Sequence, residues 1–549
     1  MDRRTLIALA LSFVVILVYT RFIAPPPPRR MPQPSPQQAA VTPTPPQSGR
    51  EKAEADGPRE AAIIEPKGKL STVRTEAMEI AFSTEGGAIT HATLFKSPVI
   101  KKGPIHVVQP LDVSPQSVTL KIQGLDDAAE YLLESENAQE KEISFLKAFD
   151  GLTIQKTYRV QNKGYVINAR IMIKNTGAEN VEIRESVELA AGAVVALTVP
   201  EKDTYVGIER LDETGKVARI GAGKTVKGWS ELRPTRWFAL RNQFFTVIVK
   251  PGAPAMGSYA RAVRLEGGLS GIEGGLMLGP LSLAPGATKE FAFDIYMGPK
   301  EYTALAAFGA PEILDFGWFG FIGKWILLGL NALYRLCGNY GVAIILLTIV
   351  IRIILFPLNQ KSFRSMKNMQ ALQPEITALQ QKYKGDPKKS QAEMMKLYKE
   401  HKVNPMGGCL PLLIQMPILI AFFRVLQNAI ELWGAPFFLW MTDLSEPDAL
   451  MRFSTGKSVV PFIGRMVDGH GYIFLNVLPI LMLLVFYIQQ KMTPSGMSAS
   501  PEQQQQQKMM GVLMPLMFGV IFYNMPAGLN LYFAASTLLG IIQQKYMIK

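Results

Sequence analysis

Arg352 is a permanent cation inside an apolar run, GVAIILLTIVIRIILFPL (341–358), that is long enough to cross a bilayer. At 1.5 Å per helical residue it lies roughly 9 Å from the 358 end of that run. Holding a guanidinium at mid-helix in hydrocarbon costs roughly 2.5–3.5 kcal/mol on insertion scales. Two readings follow. The side chain snorkels to the nearer interface, or it faces a water-filled recess between helices, where its chemistry is attraction of anionic and polar groups. Gln415 falls at a similar depth in a later apolar run, and an amide beside a guanidinium fits a shared hydrated recess as well as a simple bond to a neighbouring helix. Thr348, one turn before Arg352, and Ser536 and Thr537 in the last apolar run are further candidates for polar lining.

Gln415 belongs to an unusual segment, Asn404-Pro405-Met406-Gly407-Gly408-Cys409-Leu410-Pro411, followed by Gln415-Met416-Pro417. Three prolines and a Gly-Gly pair break hydrogen bonds that lipid cannot replace, so such a helix belongs against protein or water. Of the 549 residues, 48% are hydrophobic, an average over two unlike parts. Residues from about 60 to 300 read as soluble, and those from about 311 onward are rich in long apolar runs.

The chain opens with Met1-Asp2-Arg3-Arg4 and then an apolar stretch over 6–23. No small-x-small cleavage site follows, so 1–24 reads as a retained signal-anchor with its basic end in the cytoplasm. Pro, Gln, Ala and Ser dominate 25–65, an extended spacer. Short alternating runs separated by Gly, Asn and Asp turns then predict one large antiparallel β-sandwich over 66–300, outside the cytoplasm.

The stretch 311–340 is apolar and aromatic but carries Lys324 and Arg335. It reads as an amphipathic helix on the outer membrane surface; a true span there would reverse every later orientation. Five spans are predicted after it, at 341–358, 408–428, 472–490, 509–525 and 528–544. The loop 359–404 has ten Lys/Arg against four Asp/Glu and belongs in the cytoplasm, whereas 431–471 has three against five and belongs outside. With the anchor this makes six spans and two cytoplasmic termini.

Within 359–404, Met366, Met369, Leu372, Ile376, Leu379 and Tyr383 recur at helical spacing. The turn Lys384-Gly385-Asp386-Pro387 then leads to a second helix, giving a hairpin. Lys382, Lys384, Lys388 and Lys389 lie on its exposed face, either as a solvated basic face near anionic lipid or as a docking arm for an acidic or RNA-containing partner. The 25 methionines, clustered at 492–517 and in the hairpin, suit adaptable apolar contacts and core filling equally.

Nothing in the chain resembles a catalytic constellation: GxSxG, HExxH and the Walker loop are absent from the sequence. Four histidines and two cysteines leave little for a transition-metal site, and Cys337 and Cys409 fall near opposite ends of the membrane region, so no cofactor, metal or disulfide is predicted. The net charge of +13 follows basic clusters beside spans better than any nucleic-acid motif.

The run 404–418 (NPMGGCLPLLIQMPI) closely resembles the YidC family of membrane protein insertases. So do Ile351-Arg352 ahead of Phe356-Pro357-Leu358, Met369–Pro374 in the loop, Ala435-Pro436-Phe437 with Trp440, and Gly86-Gly87-Ala88-Ile89 and Tyr296-Met297-Gly298-Pro299-Lys300 in the β region. The resemblance implies a polytopic α-helical membrane protein of six spans. Its five-helix insertase core encloses a hydrophilic groove open to cytoplasm and lipid, and it carries a large extracytoplasmic all-β supersandwich akin to galactose mutarotase. It further implies that Arg352 attracts acidic or polar parts of an incoming chain and that Thr348 lies next to substrate. In the last span some relatives have a tyrosine where this chain has Phe533, following Tyr532. Implied partners are nascent membrane proteins, the ribosome, signal recognition particle and its receptor, the Sec translocon and membrane lipids. Two rival functions are a transporter using Arg352 as an anion site, which predicts internal repeats that the sequence lacks, and an anchored outer-surface binding protein or sugar enzyme.

Overall fold

The computed structural model describes residues 59–61, 65, 68–95, 97, 100–101, 104–108, 116–122, 129–195, 205–221, 229–265, 270–383, 385–401, 403, 410–454, 472–492 and 517–548. The expected anchor 1–24, nearly all of the spacer 25–65, Lys384, the 404–409 part of the Pro-Gly segment and most of the 492–517 methionine cluster lie outside these residues.

The β region folds as the alternation predicts. A nine-stranded antiparallel sheet runs in the order Val217–Gly221, Gly207–Asp212, Thr235–Arg241, Phe245–Pro251, Thr288–Pro299, Val166–Asn175, Leu152–Val160, Glu142–Phe149, Leu132–Asn137. Beside it lie a six-stranded sheet centred on Ser270–Leu283 and Val181–Val195 and a four-stranded sheet from Leu70–Arg74 to Ile105–Val108. Along Leu152–Val160 every second residue is buried, so Leu152, Ile154, Tyr158 and Val160 join Phe82, Phe145 and Trp237 in the core. Lys156 holds one of these inward positions. Its Nζ donates to Gly86 O at 2.6 Å and Tyr158 OH donates to Gly87 O at 2.7 Å, so two strand side chains clamp one turn of the four-stranded sheet. The turn needs both glycines: φ is +71° and +51°, and a Cβ at Gly87 would lie 3.1 Å from that of Phe145.

A short helix, α1 (Tyr302–Phe308), closes the domain. The predicted surface helix over 311–340 is two 3-10 turns, Pro311–Ile313 and Gly317–Phe319, leading into α2 (Gly320–Cys337). α3 (Tyr340–Ile354) starts on an Asn339 cap, whose side chain accepts from the Gly341 and Val342 amides, and α4 (Phe356–Ala371) continues it after a 60° bend at Leu355. Pro357 explains the bend, since it donates no hydrogen bond and its ring crowds the carbonyl four residues back. The expected 341–358 span is therefore straight only to Ile354. Pro374 likewise divides the single amphipathic helix expected over 366–383, so that α5 (Gln373–Lys382) begins after a break at Leu372. The hairpin itself forms: α5 packs on α6 (Pro387–Glu400) through Leu372, Ile376, Leu379, Met394 and Leu397.

The remaining helices are α7 (Leu410–Asn428), α8 (Val477–Met492), the stretch 517–522 and α9 (Ala527–Ile548). The expected 472–490 span begins as a strand, because Tyr472–Asn476 pairs with Ala449–Ser454. Its helix starts where the Asp448 carboxylate accepts from the Val477 and Leu478 amides, at 2.9 and 2.7 Å. Among the described residues no single helix is long and apolar enough to cross a membrane by itself, and α3 with α4 passes only as a bent pair. Large apolar side chains nevertheless face outward: Trp318 is 100% exposed, Phe321 76%, Ile353 67% and Ile354 68%, joined by Leu481 and Leu484 of α8 and Leu538 and Ile542 of α9. Such a belt suits a hydrocarbon solvent rather than water.

Candidate functional site

Arg352 is placed by the last turn of α3, where its neighbours Ile353 and Ile354 turn outward and it turns inward. Its Nη2 donates to the backbone carbonyl of Ser536 on α9 and, at 3.0 Å, to Ser536 Oγ. The guanidinium is thus held against α9. Its Nε is buried with no hydrogen-bond partner among the described residues. Gln415, on α7, reaches the same spot: its Nε2 donates to Tyr532 OH and, at 3.4 Å, to Ser536 Oγ. Tyr532 is fully buried and stacks on Phe422 at 4.3 Å between ring centroids, which fixes its hydroxyl. Three helices therefore bring one guanidinium, one amide and two hydroxyls together in otherwise apolar surroundings. The cluster combines one full positive charge with donors and acceptors that are only partly used, a chemistry that attracts anionic and polar groups.

Arg352, Gln415 and Ser536, singled out in the sequence, meet. Thr348 and Phe533 do not join them. Thr348 is fully buried and its hydroxyl donates to Ile344 O at 2.7 Å, one turn back on its own helix. Phe533 packs among Phe486, Phe518 and Phe522, with centroids at 5.5, 6.4 and 5.0 Å. Thr537 bonds back to Phe533 O at 2.8 Å. Sequence reading missed two contributors. Tyr532 stands beside Phe533 in sequence, but one step along a helix turns a side chain by about 100°, so the two face different neighbours. Gly540 lies one turn beyond Ser536, flush against the guanidinium; a glycine inside a 22-residue helix was the available signal.

Of the hairpin lysines, Lys382, Lys388 and Lys389 are exposed. Two of them gather about one ring, with the Nζ of Lys382 and Lys389 at 5.7 and 5.5 Å from the centroid of Tyr383.

A second polar cluster joins the β domain to the end of the bundle where α7 finishes and α3 begins. Lys101 Nζ donates to Glu431 O and lies 4.7 Å from the centroid of the Tyr340 ring. Glu431 Oε1 accepts from Asn331 Nδ2 at 3.5 Å, and Tyr340 OH donates to Asn331 Oδ1 at 3.0 Å. Phe244 stacks on Trp433 at 5.3 Å, and Gln243 Nε2 donates to Gln427 O at 2.9 Å. Among the described residues no group of His, Cys, Asp and Glu is arranged to hold a metal.

Comparison with known proteins gives two family matches: residues 332–549 match the 60Kd inner membrane protein model and residues 70–328 the YidC periplasmic domain model. The chain is 32% identical over 571 residues to the membrane protein insertase YidC of Geobacter metallireducens, covering 100% of this chain and 98% of that one. It is 35% identical over 419 residues to that of Syntrophobacter fumaroxidans, covering 75% and 71%. A solved structure described as an active YidC insertase with the first transmembrane domain resolved is 21% identical, with a TM-score of 0.36, covering 89% of this chain and 94% of that one.

Proposed function

Because this chain belongs to the YidC family of membrane protein insertases, we propose that it inserts nascent membrane proteins through a hydrophilic groove centred on Arg352. The family is non-enzymatic and works in the inner membrane, and this chain carries its periplasmic domain. One observation carries the proposal. A permanent cation, an amide and two hydroxyls converge from α3, α7 and α9 inside a bundle whose outer surface is apolar.

The groove works by substitution of solvent. The short hydrophilic segment ahead of a substrate's transmembrane helix would otherwise enter hydrocarbon at several kcal/mol per unsatisfied polar group. Arg352, Gln415, Ser536 and Tyr532 take over part of its hydration, and the cation favours acidic segments. The membrane potential, worth roughly 2.3 kcal/mol per charge per 100 mV, draws those segments outward. The substrate's apolar helix then leaves into lipid, past the exposed apolar side chains of α3, α8 and α9.

Six spans with both termini in the cytoplasm follow from the loop charges. That topology puts the hairpin, with exposed Lys382, Lys388 and Lys389, where ribosomal RNA, signal recognition particle or its receptor can dock, and leaves the bundle's sides for the Sec translocon. The β-sheets serve in this reading as a scaffold docked on the bundle through Lys101, Gln243 and Phe244.

The test is insertion of a reporter with an acidic translocated segment. Arg352→Ala should lower it at least severalfold, and Arg352→Lys should restore most of it, because charge is what the mechanism uses. Failure of Lys as complete as that of Ala refutes the charge mechanism.

A further inference from the structure

Gly540 stands just past the middle of α9, more than three turns from its start and about two from its end, where glycine is a poor helix former. It is buried, and what buries it is Arg352. A Cβ built at Gly540 would lie 3.2 Å from Arg352 Nη2, 3.4 Å from Nη1 and 3.5 Å from Cζ. Near-equal distances to three guanidinium atoms mean that the group lies broadside on the backbone at this point. The carbonyl that Arg352 Nη2 uses belongs to Ser536, four residues earlier. In an α-helix a side chain leans toward the amino-terminal turn, so anything beyond hydrogen at 540 leans over that carbonyl.

We propose that Gly540 is a positioning residue for Arg352: bare backbone at 540 lets the guanidinium settle beside α9 with Ser536 gripping one edge, which fixes the depth and direction from which the cation meets an acidic segment. This rests on the groove reading above. The graded consequences follow from size. Alanine asks the guanidinium to give by a few tenths of an ångström, which a flexible side chain can do. Valine puts two further carbons over the Ser536 carbonyl and expels the guanidinium from it.

The experiment compares insertion of two reporters, one with an acidic and one with an uncharged translocated segment, in cells carrying Gly540→Ala, Gly540→Val, Arg352→Ala and the double variant Arg352→Ala/Gly540→Val. Gly540→Val should lower the acidic-to-uncharged insertion ratio by about tenfold, the equivalent of one hydrogen bond to a charged group. Gly540→Ala should lower it by about twofold or less while the purified protein melts no lower than the parent, since alanine is the better helix former. In the double variant the ratio should equal that of Arg352→Ala alone. An unchanged ratio in Gly540→Val, or a double variant worse than Arg352→Ala by the full valine factor, overturns the proposal. Should Gly540→Val not accumulate, a Gly540→Ala ratio that falls within the Arg352 background as it does outside it overturns it equally. If Arg352→Ala itself leaves the ratio unchanged, the groove reading fails first and the positioning role with it.

Discussion

Glu431 provides the sharpest test of how the β domain is fastened to the bundle. It lies in the 3-10 turn Ile430–Leu432 just beyond α7, is 5% exposed, and its Oε2 has no hydrogen-bond partner among the described residues. Lys101 bonds to its backbone carbonyl and not to its carboxylate. Burial pushes the Glu431 carboxyl up to about 7, with Glu301 adding to the rise; its own backbone amide, Asn331 and Lys101 pull the other way and do not prevail. Burial also lowers Lys101 to about 8, against the attraction of Glu431 and Asp443. Between the ordinary 4.5 and about 7 the folded protein keeps a proton that the unfolded chain has released. The Glu431 contribution to stability at this junction therefore falls as pH rises through that window and is constant above it, while the lowered Lys101 adds a rise only above about pH 8. The gap is worth about 3 kcal/mol at roughly 1.4 kcal/mol per tenfold. Glu431→Gln removes the charge and keeps an oxygen for Asn331. At pH 8 it should slow hydrogen exchange of the 427–433 amides by about a hundredfold relative to the parent, after correction for intrinsic rates, and at pH 4 it should change little. The purified full-length protein in nanodiscs is the sample. Equal or weaker protection in the variant at pH 8, or parental protection that stays flat from pH 5 to 8, refutes the reasoning.

Two further outcomes are expected. Asp448→Ala removes the acceptor of the first two α8 amides and of Trp440 Nε1 at 3.2 Å, so it should cost about 1–2 kcal/mol; faster exchange over 477–480, partly recovered by Asp448→Asn, checks it. Charge reversal of Lys382, Lys388 and Lys389 together should weaken co-sedimentation with ribosomes, and the parent's binding should itself fall steeply between 50 and 200 mM salt; salt-insensitive binding would remove electrostatics from the docking.

What the sequence disclosed depended on how far each signal reached along the chain. Period-two alternation is local, and it predicts the antiparallel sheets, but not the strand Arg59–Ala61, which lies in the stretch read as spacer and pairs in parallel with Gly257–Leu265. The hairpin emerged from Leu372, Ile376 and Leu397, but the break at Leu372 was overlooked because a periodic pattern tolerates a proline at the second position of a new helix. The start of the 472–490 segment is a strand where a span is expected, since Tyr472–Asn476 is as apolar as a helix end and only pairing with Ala449–Ser454 makes it a strand. In the site, Arg352 and Gln415 were legible as polar exceptions in apolar runs. Tyr532 was not, being an ordinary aromatic whose hydroxyl acquires meaning only when Gln415 arrives from another helix. Gly540 was silent for the same reason, because its missing side chain matters only to a group that approaches from α3.

The fold buries arginines in two ways, and the contrast explains why one is usable. In the β domain Arg210 faces Glu231 at 2.8 Å and Arg241 faces Glu209 at 2.7 Å, so each cation is neutralised by a carboxylate of the same scaffold. Such pairs hold shape and present little field to a third group. Arg352 is held by a carbonyl and a hydroxyl, with an amide and a phenol behind them, all uncharged. Those partners meet part of its hydrogen-bonding demand and cancel none of its charge. A fixed carboxylate beside Arg352 would stabilise the empty protein more, and an incoming acidic segment would then have to displace it. With neutral partners the cation remains the strongest unmatched charge in the cluster, and its buried Nε has no partner among the described residues. In the insertion mechanism proposed above, the arrangement costs stability in the resting bundle and returns it as attraction for substrate, which is the direction in which a binding groove has to work.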